Sequence, residues 1–291
     1  MKQKKEEFTV MKKCFSILFA ALLSAAFAEQ QIKPDANTLW RETGKNIQLG
    51  KGWGRTWANV GKTVEIQSLS DGSGFCFNGK DGSGRKTLTS VPVTKEFPYL
   101  VAQVTDVDVY KGFVCWTLQI PEILTVSSVK PEKGIYVFNL FPEGKDKLNK
   151  KGKIIKDAYI VWYLYNTKLT FSDMRLVKTP DFAVDAVCDS GTINIGSKIK
   201  FTVKMKDEAE DVSIRLFTTY LIKPVQINGG TKIQLKPVDK TQKIWSAEVE
   251  VKSLNGGKPF KPGSIFMKTA VLGGEIDVPV WSNFAPGFSG K

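Results

Sequence analysis

A chain of 291 residues that is 42% apolar and 11% aromatic is long enough for two ordinary domains with buried cores, which excludes global disorder. Its formal net charge of +13 favours anionic partners or surfaces. Histidine is absent, which excludes the commonest general base, the Ser-His and Cys-His nucleophile pairs and the imidazole ligand of zinc.

Residues 1–28 have the pattern of a cleaved signal peptide. A basic start at residues 11–13, an apolar run over residues 14–25 and Ala-Phe-Ala at residues 26–28 are the three features that the export machinery recognises. The run is short for a transmembrane helix, and no later segment is long and apolar enough to span a bilayer. Met11 is an alternative start of the chain.

Export predicts a secreted, periplasmic or cell-surface protein. Cleavage removes five lysines and two glutamates, which lowers the net charge to +10. The remaining charge still favours anionic partners, but export argues against an intracellular role with nucleic acid.

The pattern over residues 36–178 predicts an N-terminal jelly-roll β-sandwich. Runs of β-branched and aromatic residues alternate with turn residues, as expected of an antiparallel protein. Roughly nine or ten strands without a helix imply two sheets, because each sheet must bury one face. The longer predicted strands cover residues 99–109, 112–120, 134–141, 154–165 and 168–177.

Residues 179–181, Thr-Pro-Asp, predict the boundary of a second domain. Seven further runs with strand patterning follow within about 105 residues, which is the number expected of an immunoglobulin-like sandwich. The sequence therefore predicts an all-β protein, with a C-terminal immunoglobulin-like β-sandwich over residues 181–291.

Tyrosines of a single predicted strand are the main candidate binding residues. Side chains in residues 154–165 point alternately to opposite faces, so Trp162 faces the core while the tyrosines face outward. Flat aromatic rings stack on sugars, and amides and hydroxyls bind sugar hydroxyls. The predicted ligand-binding face comprises Tyr159, Tyr163, Tyr165, Gln103, Gln119 and Asn139. The alternative is that these tyrosines pack under a covering loop or against the second domain.

Two tryptophans, Trp53 and Trp57, lie four residues apart in a glycine-rich segment and flank Arg55. They are expected either to form an exposed stacking platform or to plug the open end of the sandwich. Both are therefore candidate ligand-binding residues.

Six lysines crowd between Lys145 and Lys156, in a predicted hairpin loop. A solvated loop explains such a cluster, and so does contact with an anionic polymer. The predicted partner of the protein is a glycan or polysaccharide, with an anionic envelope polymer as an alternative.

The acidic motifs give little support to catalysis or metal binding. Asp106 and Asp108 project from one face of a strand, a spacing that suits acid/base chemistry, although exposed acidic pairs at strand ends are far commoner. Asp-Gly-Ser-Gly occurs at residues 71–74 and again at residues 81–84, and both are interpreted as turns, with structural calcium as the alternative. No catalytic residue, no metal ligand and no required cofactor is predicted.

Three cysteines, Cys76, Cys115 and Cys188, remain after cleavage, each in an apolar stretch. Their odd number and their spacing match no metal-binding pattern. Buried thiols are the prediction.

The segment Leu-Thr-Phe-Ser-Asp-Met-Arg-Leu-Val at residues 169–177 resembles the closing strand of galactose-binding-like jelly rolls, which include many carbohydrate-binding modules. Residues 99–108 followed by residues 112–119 resemble the central hairpin of that fold. The resemblance implies glycan or peptide binding at the concave sheet or the end loops, and a frequent structural calcium, with Asp173 at the matching acidic position. The second domain is similar to immunoglobulin-like modules of bacterial surface proteins.

Together these features predict a non-catalytic protein that binds carbohydrate through its N-terminal domain. The first alternative is a structural or adhesive protein that binds another protein. The second is a glycan-active enzyme that uses carboxylates alone.

The first testable prediction concerns processing. We expect the exported protein to begin at Glu29 or within a residue or two of it, because the small residues end at position 28. Mass spectrometry of the exported protein measures this directly, and an intact apolar segment would show that the prediction is wrong.

Overall fold

Strands and turns account for the part of the chain that the structure describes. The computed structural model describes residues 36–43, 53–58, 66–80, 82–87, 90–141, 146–179, 185–188, 193–205, 208–260, 265–272 and 280–282. No α-helix occurs among these residues, which contain one short 3-10 turn at Asn255–Gly257. The predicted all-β class is confirmed, whereas the predicted signal peptide lies outside the described residues.

The first half of the chain contains thirteen described strands. They are β1 (Thr38–Thr43), β2 (Trp53–Ala58), β3 (Ile66–Ser68), β4 (Phe75–Asn78), β5 (Ser83–Thr87), β6 (Val91–Pro92), β7 (Tyr99–Val109), β8 (Cys115–Ile120), β9 (Leu124–Ser128), β10 (Gly134–Asn139), β11 (Asp157–Ala158), β12 (Val161–Tyr165) and β13 (Thr167–Val177).

The second half contains eight described strands. They are β14 (Asp185–Cys188), β15 (Lys198–Lys204), β16 (Asp211–Thr218), β17 (Ile233–Gln234), β18 (Lys236–Pro237), β19 (Ile244–Glu250), β20 (Ile265–Leu272) and β21 (Val280–Ser282).

Three sheets carry most of these strands. The front sheet has the order β2-β5-β12-β8-β9, and the rear sheet has the order β14-β15-β19-β18. The central sheet has the order β17-β16-β20-β21-β10-β7-β13-β4-β3, with β1 also paired to β13. Strand β21 joins the two halves of the central sheet, because it pairs with β20 and also, in parallel, with β10. A small two-stranded sheet pairs β6 with β11.

The first core fills the space between the front and central sheets. Trp162 of the front sheet packs 5.3 Å from Trp116 on the neighbouring strand and 5.2 Å from Phe171 of the central sheet. Phe75 and Phe77 add two more buried rings to this cluster. Large aromatic side chains dominate the burial energy of such a core, so the two sheets form a sandwich around them.

The second core lies against the opposite face of the central sheet. It combines buried residues of the rear sheet, such as Phe201 and Trp245, with Val101, Ile135 and Val137 of strands β7 and β10. Neighbouring residues of these two strands, such as Leu100 and Phe138, face the first core. Successive side chains of a strand point to opposite faces, so both faces of the middle strands are buried.

A β-bulge in β13 changes which residues face the first core. Leu169 and Phe171 point into that core, but beyond the bulge Met174 and Leu176 do so instead. The pairing with β7 shifts on both sides of Phe171, because Thr105 of β7 is skipped before it and Ser172 of β13 is skipped after it. As a result Asp173 lies on the opposite face from the first core.

The predicted division of the chain near residue 180 remains a prediction. Residues 34–291 form one compact unit, and the central sheet contains strands from both predicted domains. Sixteen of the twenty buried residues of the second core come from the second half of the chain, which favours independent folding of that half.

A fragment of residues 181–291 tests this division. We expect it to fold and to unfold cooperatively, because it keeps most of the second core and all of the rear sheet. It should be less stable than the full mature chain, since it loses the contacts of Val101, Ile135, Val137 and Val177. Circular dichroism during urea denaturation measures both properties. A fragment without a cooperative transition, beside a full chain that has one, would show that the halves share a single folding unit.

Candidate functional site

The outer face of the front sheet carries the predicted tyrosines. In β12 the side chains of Trp162 and Leu164 are buried in the first core, whereas Tyr163 is half-buried on the opposite side. Tyr165 is 37% exposed and Tyr159, just before the strand, is 39% exposed. The alternation predicted from the sequence therefore separates core residues from outward-facing tyrosines.

Polar residues of β8 and β9 accompany these tyrosines. Thr117 lies directly opposite Tyr163, and Gln119 lies opposite Val161, so their side chains share one face. Thr117 Oγ1 lies 2.8 Å from Ser127 Oγ on the next strand. We call this surface the tyrosine face. It comprises Tyr163, Tyr165, Thr117, Gln119 and Thr125.

A groove of about 450 Å³ lies at one end of the tyrosine face. Tyr159 lines it from the segment that leads into β12, and Pro121 and Glu122 line it from the turn after β8. That turn closes with a 3.0 Å hydrogen bond from the backbone N–H of Ile123 to the carbonyl oxygen of Ile120. The other lining residues are Asn149, Ile154, Ile155, Lys156, Asp157 and Ala158.

A tight hairpin over residues 147–155 forms the second wall of the groove. Its two arms pair at Leu148 and Ile154, both of which are exposed. Asn149 Oδ1 accepts hydrogen bonds from the backbone N–H groups of Lys151 and Lys153, at 2.9 and 3.0 Å. An asparagine that binds its own turn in this way holds the loop in one conformation.

Five of the six clustered lysines lie in the described residues of this hairpin and its flank. Among the described residues, no acidic group makes an ion pair with any of them. Asp146, which precedes Lys147 in the sequence, pairs instead with Lys95 at 3.1 Å. These lysines are Lys147, Lys150, Lys151, Lys153 and Lys156.

The structure separates two predicted site residues from the tyrosines. Gln103 lies in β7 and Asn139 in β10, and both strands belong to the central sheet. They share the side of Val101 and Val137, which belong to the second core, so the whole first core lies between them and the tyrosine face. The expectation that Gln103 and Asn139 join the tyrosines on one face was therefore wrong. The alternation of residues along a strand shows which side chains share a face of that strand, but it does not show to which sheet the strand belongs.

Trp53 belongs to the first core. Its side chain is 2% exposed, and its ring centroid lies 4.9 Å from that of Phe77. Of the two interpretations left open by the sequence, the structure supports a core plug for this residue rather than an exposed platform. The side chain of Trp57 lies outside the described part of the structure.

The carboxylates considered for catalysis are held in ion pairs. Asp106 Oδ1 lies 2.9 Å from Lys133 Nζ, and Asp108 Oδ2 lies 3.3 Å from Lys168 Nζ. The Lys133 ammonium holds the pKa of Asp106 below its usual value, mainly through the hydrogen bond. A carboxyl group with a lowered pKa is a poor general acid, so this pair gives no support to acid catalysis.

The first Asp-Gly-Ser-Gly segment forms a turn. Asp71 Oδ1 accepts hydrogen bonds from the backbone N–H and the hydroxyl of Ser73, which lowers the pKa of Asp71. A Cβ atom on Gly74 would collide with the carbonyl oxygen of Phe171, so only glycine suits that position. The second segment includes residue 81, which lies outside the described residues.

Asp173, the acidic position implied by the resemblance, is held by arginines. It is 6% exposed, its Oδ1 lies 2.7 Å from Arg41 Nε, and its Oδ2 lies 3.2 Å from Arg175 Nε. With both carboxylate oxygens directed at guanidinium groups, it is not arranged to bind calcium. In the described part of the chain, no group of three or more Cys, Asp or Glu side chains is placed to hold a metal ion.

The thiols of Cys76 and Cys115 are buried, as predicted. Burial also raises the pKa of the Cys115 thiol. The side chain of Cys188 lies outside the described part of the structure.

Glu42 is a buried carboxyl group that sequence analysis missed. It lies opposite Met174, on the side of the first core, and burial raises its pKa from 4.5 to about 7. The Trp53 indole offsets part of this effect, yet neither Trp53 Nε1 nor Glu42 Oε2 has a well-aligned hydrogen-bond partner among the described residues. The alternation of side chains along β1 could have indicated that Glu42 faces inward, because Trp40, two residues earlier, packs against the first core from the same side of the strand.

Comparisons with known proteins leave the family open. No protein-family model matches the chain, and no curated protein matches it. Among solved structures, the chain is similar to a DUF4785 family protein from Legionella pneumophila, with 12% identity, a TM-score of 0.26, and coverage of 79% of this chain and 68% of that one. Among the described residues, no helix has the length and apolarity needed to cross a membrane.

Glu42 generates a prediction about pH. The folded protein keeps a proton on Glu42 that the unfolded chain releases above pH 4.5, so stability should fall as the pH rises from about 4.5 to about 7. Glu42→Gln removes this penalty. At pH 8 the variant should be about 1–3 kcal/mol more stable than the parent, and at pH 4 the two should be similar.

Urea denaturation at both pH values measures the effect, with Glu210→Gln at an exposed position as the control. A gain for Glu42→Gln that is no larger at pH 8 than at pH 4 would contradict a buried, proton-binding carboxyl group.

Proposed function

We propose that the protein is an exported, non-catalytic binding protein whose ligand is a polysaccharide. In this proposal the chain of sugars lies along the tyrosine face and ends in the adjoining groove. The observation that carries the proposal is the row of exposed or half-exposed tyrosines next to polar side chains, with the groove at its end.

The spacing of the aromatic rings favours a polymer over a single sugar. Residues two apart on one face of a strand are about 7 Å apart, so Tyr159 and Tyr165 are separated by about 20 Å if the chain between them is extended. A ligand that contacts both ends must therefore have several units. Stacking on Tyr159, Tyr163 and Tyr165, with hydrogen bonds from Thr117 and Gln119, would bind successive sugars.

The chemistry of the groove supports the same ligand class. Asn149 Nδ2 makes no hydrogen bond to the described residues, and the side chains of Glu122 and Asp157 also line the groove. Amide and carboxylate groups beside an exposed aromatic ring are the usual means of binding sugar hydroxyls. The galactose-binding-like and immunoglobulin-like assignments belong to this proposal as well, since two packed sheets in each half are compatible with them.

An adhesive role, in which the partner is another protein, is the second candidate. The observation that favours it is the exposed pair of Phe113 and Tyr165 at the far end of the tyrosine face, whose ring centroids lie 6.3 Å apart. Aromatic residues that remain exposed are frequent anchors of protein interfaces.

Three substitutions test whether the tyrosine face binds ligand. Tyr159→Ala and Tyr163→Ala should each cost about 1 kcal/mol or less of stability but weaken polysaccharide binding, because an aromatic stacking contact is worth about 0.5–1.5 kcal/mol. Trp162→Ala should cost about 3–5 kcal/mol of stability, because that ring is fully buried in the first core. Thermal melts and a glycan array measure the two properties separately.

The outcomes distinguish the alternatives. Equal and large losses of stability in all three variants would show that the tyrosines are packing residues. A glycan array without any signal, together with a protein partner that Tyr165→Ala releases, would favour the adhesive role.

A further inference from the structure

We propose that the basic hairpin and the groove beside it select polysaccharides that carry negative charges, such as carboxylate or sulfate groups. This inference rests on the proposed function and names the chemical class of its ligand. The feature that points to it is a lysine-rich hairpin, closed by the Asn149 side chain, that lines one side of the groove that also contains Tyr159.

The lysines of the hairpin and its flank are not engaged by acidic side chains of the described chain. Five of them surround or follow the turn, and the described acidic residues form no ion pair with them. Asp146 is engaged by Lys95. Even when Glu122 and Asp157 of the groove are counted, the five lysines leave a surplus of three positive charges in this region.

Hydrogen bonds hold the backbone that carries these lysines in one conformation. The Asn149 side chain and the hydrogen bond from the Asn149 N–H to the Lys153 carbonyl oxygen, at 2.8 Å, close the turn. The carbonyl oxygen of Lys156 accepts a 2.7 Å hydrogen bond from the backbone N–H of Val93, which ties the end of the segment to β6. A preformed site loses less conformational entropy on binding than a flexible loop does.

The position of the hairpin makes a glycan a better match than other polyanions. Ile154 of the hairpin and Lys156, just after it, line the same groove as Tyr159, so a ligand in the groove can meet an ammonium group and an aromatic ring together. The other lysines lie on the hairpin beside the groove, where a polymer that extends out of it can reach them. The carboxylates of Glu122 and Asp157 would repel a phosphate on every unit but would accept hydrogen bonds from sugar hydroxyls. The expected ligand is therefore a hydroxyl-rich polymer with spaced anionic groups.

The test compares matched charged and neutral polymers on the full mature chain. The probes are lightly sulfated dextran against dextran, and hyaluronan, which has a carboxylate on every second sugar, against its methyl ester. A double-stranded DNA fragment serves as a polyanion that has no free sugar hydroxyls along its backbone. The hairpin variant is Lys150→Gln/Lys151→Gln/Lys153→Gln. The control variant is Lys223→Gln/Lys236→Gln/Lys240→Gln, which removes the same charge from exposed positions of the second half.

At least one charged polymer should bind more tightly than its neutral match, and this preference should weaken as salt screens the charges. The hairpin variant should lose about tenfold in affinity for that polymer, as expected for three exposed charge contacts, while the control variant should change by less than about twofold. Tyr159→Ala should weaken binding of the same polymer. Unchanged thermal melts would show that the lysine variants remain folded.

Two results would overturn the inference in different ways. If neither charged polymer is preferred, or the hairpin and control variants behave alike, the selection for anionic ligands is wrong, while a loss with Tyr159→Ala on neutral polymers would leave the proposed function standing. If DNA binds as tightly as the charged glycans and Tyr159→Ala changes nothing, the surface binds by charge alone, and both proposals fail.

Discussion

Strands β7 and β13 pair along a long ladder, and where residues 100–102 pair with residues 174–176 the two cores of the protein form on either side of it. Leu100 and Leu176 face the first core, whereas Val101 and Val177 face the second. Because apolar side chains on both faces need cover, the front sheet must pack on one side and the rear sheet on the other.

The candidate site follows from the same arrangement. Trp116 and Trp162 lie on the inner face of the front sheet and pack in the first core, between this sheet and the central sheet. Residues of the opposite parity are left on the outside, where Tyr163 and Thr117 lie side by side. The groove arises where the chain leaves the regular sheet near Tyr159 and the basic hairpin folds back beside it.

Two buried carboxyl groups of this fold have different surroundings. Asp173 has an arginine nitrogen within 3.2 Å of each of its two carboxylate oxygens. Glu42 lacks such a partner for Oε2 in the described structure, and burial therefore raises its pKa. Neither group is arranged as a metal ligand or as half of a catalytic carboxylate pair.

The sequence by itself determined the all-β class and the parity of β12, because the alternation of apolar and polar side chains is a local property with period two. It was therefore sufficient to separate Trp162 from Tyr159 and Tyr163. It did not show the bulge that changes the parity within β13. Only the tertiary structure decided that Gln103 and Asn139 lie across the core from these tyrosines, since sheet membership depends on pairing between distant segments. The same dependence on distant contacts explains why the burial of Trp53 against Phe77, and a groove built from residues 121–122, 149 and 154–159, required the folded chain.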